Sequence, residues 1–254
     1  MMNRQFPTVE NELVEEVPLA ISVNGIALSV MMISPFDIED FLFGFFITEG
    51  LVKHTLELQD LNITKTSLGF AADIQLTGRR EQQLIRKRRL FATPAGCGLC
   101  HNAALEQAFL ALTPFPSPHS VTDIPFATLR DRMKDHQLLG KKSGALHAAM
   151  FVQRNNNTII CREDIGRHNA LDKVIGAALR NKLNLADGYL VITSRCGADL
   201  VQKAVIADID TLVSFSSPSQ LAVSLAKQAC ANLVYLPRNN QPVIFTQAKD
   251  TQHA

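Results

Sequence analysis

One unit occurs three times in the second half of the chain, and it constrains the fold more than any other feature. Each copy runs from a short apolar strand through a polar loop into an amphipathic helix, with strands expected at 158–161, 189–193 and 212–215. This alternation of strands and helices predicts an α/β fold in which helices cover a largely parallel sheet. In such sheets ligands bind beyond the carboxyl ends of the strands, which is where the three polar loops fall.

The N-terminal region shows a different pattern. Alternating apolar residues at 19–23 and 26–30 flank Asn24-Gly25, a dipeptide typical of a two-residue hairpin turn. We therefore expect residues 1–92 to form a small α+β subdomain and residues 93–232 to form the α/β domain. The apolar segment 233–254 reads as a closing hairpin and is a candidate addition to the N-terminal subdomain.

Composition excludes several classes of partner. The formal charge of the 254 residues is only +1, which argues against a protein that binds nucleic acid by neutralising phosphates. Apolar runs such as 41–47 are far too short to span a bilayer, and the first residues do not resemble a signal peptide. We therefore expect a cytoplasmic protein that binds neither nucleic acid nor membrane.

Cys97 and Cys100 form the most reactive pattern in the sequence. They stand three positions apart in a loop that contains Pro94, Gly96 and Gly98, and a helical pattern begins directly after them. Unpaired N–H groups and the positive end of the helix dipole would then lie near the sulfur atoms. Both effects favour the thiolate, the nucleophilic and metal-binding form of cysteine, so the pair suits sulfur chemistry or metal binding.

The number of possible ligands argues against a metal site at Cys97 and Cys100. A structural zinc site needs four ligands, and this chain offers one cysteine pair, with Cys161, Cys196 and Cys230 each standing alone. We expect no metal bound directly by the protein, whereas thiol–disulfide exchange remains open. Nucleobase deamination is excluded because Ala149 stands where the His-x-Glu motif of those enzymes has its catalytic glutamate.

Several segments resemble the formate dehydrogenase accessory sulfurtransferases, the FdhD family. The most specific is the block from Arg162 to Lys173, Arg-Glu-Asp-Ile-Gly-Arg-His-Asn-Ala-Leu-Asp-Lys. The others are Asn24-Gly25, 36–40 with Gly44 and Glu49-Gly50, 94–100, 143–147 and 201–204. The resemblance extends over roughly residues 15–246.

The resemblance implies both a fold and an activity. The fold would be a three-layer core like that of cytidine deaminases. The activity would be to accept sulfur from a cysteine desulfurase as a persulfide on Cys97, assisted by Cys100. The sulfur would pass to the molybdenum or tungsten bis-molybdopterin guanine dinucleotide cofactor of formate dehydrogenase. The family also implies a homodimer, and it implies cofactor contacts at Leu236, Pro237, Arg238, Asn239, Asn240 and Gln241.

Arginines in the strand-end loops suit such a cofactor, which carries two pyrophosphates. Arg167 and Arg195 follow two of the expected strands, and His168 adds a further donor. The planar guanidinium group donates two parallel hydrogen bonds to phosphate, so these three residues are candidate cofactor ligands. Arg167 could instead pair with Glu163, four residues earlier, as in a helical ion pair.

Two further questions stay open at the level of sequence. Asp164, His168 and Asp172 recur at a spacing of four, which fits either a ligand-binding helix face or local ion pairs. A protein that merely holds the cofactor or the apo-dehydrogenase as a chaperone is the alternative to a sulfurtransferase. In both cases the catalytic subunit of formate dehydrogenase would be a partner.

Overall fold

A computed structural model describes residues 13–77, 112–239 and 241–247 of the chain. Its N-terminal part is a four-stranded sheet covered by one helix. The predicted hairpin is confirmed: Asn24 and Gly25 have φ values of 49° and 75°, the left-handed pair that a tight hairpin turn requires. The elements are β1 (Val17–Val23), β2 (Ile26–Ile33), α1 (Ile38–Thr48), β3 (Leu58–Lys65) and β4 (Phe70–Leu76). The strand order in this sheet is β2-β1-β4-β3.

The second part contains the three predicted strand–loop–helix units and confirms each of them. They are β6 (Ile159–Asp164) with α4 (Arg167–Arg180), β7 (Gly188–Ile192) with α5 (Ala198–Ile206), and β8 (Thr211–Ser214) with α6 (Gln220–Gln228). The remaining elements are α2 (Phe126–His136), α3 (Gly140–Ser143), β5 (His147–Gln153), β9 (Asn232–Tyr235) and β10 (Val243–Thr246).

The second sheet is mixed, which corrects the expectation of a largely parallel sheet. Its strand order is β10-β9-β8-β7-β5-β6. Strands β6, β7, β8 and β9 do point the same way, but β5 lies between β6 and β7 and is antiparallel to both. The reason is that β5 and β6 form a hairpin, so the crossover through α4 must pass over β5 to reach β7.

Helices cover both faces of this sheet. Apolar residues of α4, α5 and α6 pack on one face, where Phe151, Leu190 and Leu212 are buried. Leu129 and Met133 of α2 pack on the other face. The chain is thus α/β as predicted, with a sheet between two helical layers, while the likeness to cytidine deaminases stays a prediction.

The N-terminal sheet joins the larger one through a close crossing of α1 and α4. Gly44 lies against the backbone of Asp172, and Gly176 lies against the backbone of Asp40. A Cβ atom built on either glycine would stand 1.8 Å from a carbonyl oxygen of the other helix. The helices can approach this closely only because both positions lack a side chain.

The closing hairpin belongs to the larger sheet, which corrects its assignment as a candidate part of the N-terminal subdomain. Strand β9 pairs with β8, and β10 pairs with β9. The proposed boundary between residues 92 and 93 lies outside the described residues, so the domain division itself stays a prediction. No helix in the described ranges is both long and apolar enough to cross a membrane.

Candidate functional site

The candidate cofactor ligands gather along one edge of the six-stranded sheet, here called the carboxyl edge. It comprises the residues that follow β6, β7, β8 and β9, together with His147, the first residue of the oppositely directed β5. Arg167 follows β6, Arg195 follows β7, and Arg238 follows β9. The polar loops therefore lie where the alternating pattern predicted them.

Arg167 and His168 meet the start of α5. His168 Nε2 contacts a carboxylate oxygen of Asp199, and a guanidinium nitrogen of Arg167 lies 3.8 Å from the same oxygen. Asp199 raises the pKa of His168, but burial outweighs it and the net shift is downward. The structure thus brings Arg167 and His168 together as predicted, and it adds Asp199, which the sequence did not single out.

His147 lies in the sheet between the loops that carry Arg167 and Arg195. It pairs with Asp164 across the strands, and Ala148 hydrogen-bonds to Thr193, two residues before Arg195. Burial lowers the pKa of His147, and the positive charges of Arg167 and Arg195 lower it further. His147, with its lowered pKa, therefore lies between the loops that carry two cations, a position that its place in a broken deaminase motif does not reveal.

The predicted segment 236–241 begins at the same edge. Leu236 is fully buried, so its side chain is not free to bind a ligand, whereas Pro237 is half-buried and Arg238, Asn239 and Gln241 are exposed. Asn240 lies outside the described residues. The polar half of the segment is thus the part available to a ligand.

Arg130 of α2 was missed by the sequence analysis, although it holds this segment. Its Nε donates to the Pro237 carbonyl at 3.3 Å, and its Nη2 donates to the carbonyls of Phe215 and Leu236. No pattern in the sequence marks Arg130, because its partners lie between 85 and 107 positions away.

Asp164 and Asp172 do not form a common ligand-binding face with His168. Asp164 pairs with Lys173 at 2.6 Å, and both side chains are fully buried. Asp172 pairs with Lys203 of α5 at 2.9 Å and accepts a hydrogen bond from Thr48. Their role is to join elements in the interior.

The alternative pairing of Arg167 with Glu163 is also not formed. The Glu163 carboxylate instead accepts hydrogen bonds from the backbone N–H groups of Leu139 and Gly140, at 2.8 and 2.7 Å. Arg167 is therefore left facing Asp199 and the carboxyl edge.

Cys97 and Cys100 lie outside the described residues, so their assignment stays a prediction. The other three cysteines are described and are free thiols. Burial raises the pKa of Cys161 and of Cys196 to about 12, which leaves almost no thiolate at neutral pH. Cys230 is exposed. In the described ranges, His, Cys, Asp and Glu side chains form no group of three that could hold a metal ion.

The donors at the carboxyl edge fit a phosphate-bearing ligand. Within the described part of the chain, Arg167 Nε is buried and has no hydrogen-bond partner, so this donor is available to an acceptor. An open cleft of about 460 Å³ adjoins Asp199 and reaches Ser219 and Leu221 at the start of α6. Its lining includes the carboxylates of Glu49 and Asp199 and none of the three candidate arginines, so the cleft lies beside these donors and is not formed by them.

Fold and site together define an α/β protein whose mixed sheet has a cationic edge. The sequence pattern of the FdhD/NarQ family matches residues 14–252, and the chain belongs to that family. A sulfur carrier protein FdhD from Xanthomonas axonopodis pv. citri (strain 306) is 35% identical over 240 residues, covering 94% of this chain and 85% of the relative. The corresponding protein of Agrobacterium fabrum (strain C58) is 36% identical over 242 residues, covering 95% and 89%.

A solved structure has the same fold. It is described as a formate dehydrogenase accessory protein from Desulfotalea psychrophila, with a TM-score of 0.69 and 23% sequence identity. The match covers 92% of this chain and 88% of the other. At this level of identity the likeness concerns the fold alone.

Proposed function

We propose that this protein is a sulfurtransferase that carries sulfur as a persulfide on Cys97. The sulfur comes from a cysteine desulfurase and goes to the bis-molybdopterin guanine dinucleotide cofactor of a formate dehydrogenase. The observation that carries the proposal is family membership: relatives about 35% identical are named sulfur carriers, and this chain has the Cys97–Cys100 pair.

Sulfur loading needs no oxidant or reductant. The Cys97 thiolate attacks the outer sulfur of the donor's persulfide, forming one S–S bond while the donor's S–S bond breaks and its thiolate leaves. A later attack by Cys100 on the inner sulfur of Cys97 would release the outer sulfur as sulfide. It would leave a Cys97–Cys100 disulfide, which cellular thiols can reduce.

The length and the positive charges of the carboxyl edge support the proposal that the sulfur acceptor is a large anionic cofactor. From β6 to β9 the edge crosses four strand spacings, roughly 20 Å at about 4.8 Å per spacing. Arg167, Arg195 and Arg238 are distributed along this length, and His147 lies between the first two. Cations spread over such a distance suit a ligand with two separated pyrophosphates.

The first prediction concerns the sulfur-carrying thiol. After incubation with a cysteine desulfurase and cysteine, intact-mass spectrometry should show the mass of one added sulfur atom in the unsubstituted protein. Cys97→Ala should show none, because the described buried thiols at 161 and 196 are held protonated.

Cys230→Ala is the matched control, since Cys230 is the exposed thiol of the described ranges. It should acquire sulfur to the same extent as the unsubstituted protein. If the added sulfur persists in Cys97→Ala and disappears in Cys230→Ala, the sulfur carrier is Cys230 and the assignment to Cys97 is wrong.

A further inference from the structure

Arg130 joins two loops of the carboxyl edge. It lies on the face of the sheet that α2 covers, opposite the face that α4, α5 and α6 cover. It stands on α2, next to the buried Leu129, and its guanidinium carbon lies 4.2 Å from the centre of the Phe215 ring. From there it donates to the carbonyls of Phe215, Leu236 and Pro237. One side chain thereby fixes the chain where it leaves β8 and where it leaves β9.

These contacts fix the start of the segment that carries Arg238. A carbonyl group at the end of a strand has no ladder partner and must find another donor when it is buried. Arg130 supplies that donor to Leu236, which is itself fully buried, and to Pro237, the residue before Arg238. The backbone direction from which Arg238 departs therefore depends on Arg130.

The charge of Arg130 is not neutralised locally. Burial and the nearby positive charge of Arg238 lower the pKa of Arg130, and Tyr235 acts in the opposite direction. No carboxylate of the described residues contributes to this shift. Two arginines are thus held near each other, an arrangement that favours an anion beside them.

We propose that Arg130 is a positioning residue that places Arg238 for a phosphate group of the cofactor. The inference rests on the proposed function, because it takes the ligand of the carboxyl edge to be a guanine dinucleotide. Arg130 acts through the backbone at 236–237, and Arg238 makes the contact.

A double-mutant cycle tests this placement, with guanosine 5′-diphosphate as the probe and calorimetry as the readout. Arg130→Ala and Arg238→Ala should each weaken binding about tenfold, the loss expected for one charged hydrogen bond. The double variant should also lose about tenfold, because both substitutions remove the same contact. Arg130→Lys should not restore binding, since one ammonium group cannot serve three carbonyls and stack on Phe215.

Arg154→Ala is the matched control. Arg154 also stacks on an aromatic ring, that of Tyr189 at 5.3 Å, and donates to the Ser120 carbonyl, but at the opposite edge of the sheet. It should bind the probe as the unsubstituted protein does. Additive losses in the double variant, or unchanged binding in Arg130→Ala, would overturn the inference while leaving the proposed function standing.

Amide hydrogen exchange, measured without any ligand, tests separately whether Arg130 holds the segment 236–241 in place. Arg130→Ala should speed amide exchange at 236–241 and leave the core strands β7 and β8 as protected as before. Unchanged exchange at 236–241 would refute the positioning role. Failure of the unsubstituted protein to bind guanosine 5′-diphosphate would instead refute the proposed cofactor site.

Discussion

At the scale of single residues, the block from Arg162 to Lys173 divides into interior pairs and edge donors. Asp164 and Lys173 face each other with fully buried side chains, and Asp172 pairs with Lys203. A buried ion pair adds little net stability, but loss of one partner leaves an unpaired charge in the interior. The most specific part of the sequence therefore joins α1, α4 and α5 in the interior, besides placing donors at the carboxyl edge.

The lowered pKa of His147 predicts how the stability of the folded protein depends on pH. Its pKa lies below the usual 6.5 in the folded protein because of burial and of the charges on Arg167 and Arg195, although Asp164 opposes them. The unfolded chain therefore binds more protons as the pH falls through 6.5, and the folded protein loses stability there. The loss stops growing once the pH is below the folded-state pKa.

In His147→Gln this contribution is absent, so the fall in stability between about pH 7 and about pH 5 should be smaller than in the unsubstituted protein. It should not vanish, because the lowered pKa of His168 acts with the same sign. Melting temperatures across a pH series measure both curves. Parallel curves for the two proteins would contradict the lowered pKa of His147 in the folded protein.

At the scale of elements, short sequence patterns correctly predicted the strands, helices and turns whose structure depends on residues that are close together in the chain. Asn24-Gly25 predicted a hairpin because both residues tolerate positive φ, and the strand–helix units were found from their apolar periods. The insertion of β5 between β6 and β7 was not predictable in this way. The hairpin of β5 and β6 has a local signal in the three asparagines at 155–157, but the pairing of β5 with β7 joins strands that are distant in the sequence, and no local pattern indicates it.

The crossing of α1 and α4 gives a prediction about packing. Gly176→Ala would improve the helix propensity of α4 by about 1 kcal/mol. The added Cβ, however, would stand 1.8 Å from the Asp40 carbonyl oxygen and 2.7 Å from the Gly44 backbone nitrogen. Forced separation of two packed elements costs roughly 1–3 kcal/mol, so the variant should be less stable in urea denaturation.

Ser224→Ala is the control for this experiment. Ser224 is an exposed residue of α6, so a gain in helix propensity of the same sign, though smaller than for Gly→Ala, comes without a packing cost. Ser224→Ala should be as stable as the unsubstituted protein or slightly more so. Equal or increased stability of Gly176→Ala would show that the two helices do not approach as closely as the structure places them.

At the scale of the whole molecule, the sequence located the carboxyl edge but not all the residues that build it. Arg167, His168 and Arg195 were predictable because strand-end loops meet at one edge of a parallel arrangement. Asp199 and Arg130 were not, since each acts through a tertiary contact, with His168 and with the carbonyls at 236–237 respectively. Leu236 was predicted as a ligand, but its side chain is fully buried, while the assignment of the half-buried Pro237 stays a prediction.

The last prediction separates a sulfurtransferase from a chaperone. A bacterial strain that lacks its own protein of this family is supplied with the unsubstituted chain or with a Cys97→Ala, Cys100→Ala double variant. Formate dehydrogenase activity in extracts should return with the unsubstituted chain and stay absent with the double variant, since no thiolate remains in that loop to carry sulfur. Cys230→Ala, at matched protein abundance, should restore activity fully. Full activity with the double variant would mean that holding the cofactor or the apo-enzyme is sufficient, and the chaperone alternative would replace the sulfurtransferase.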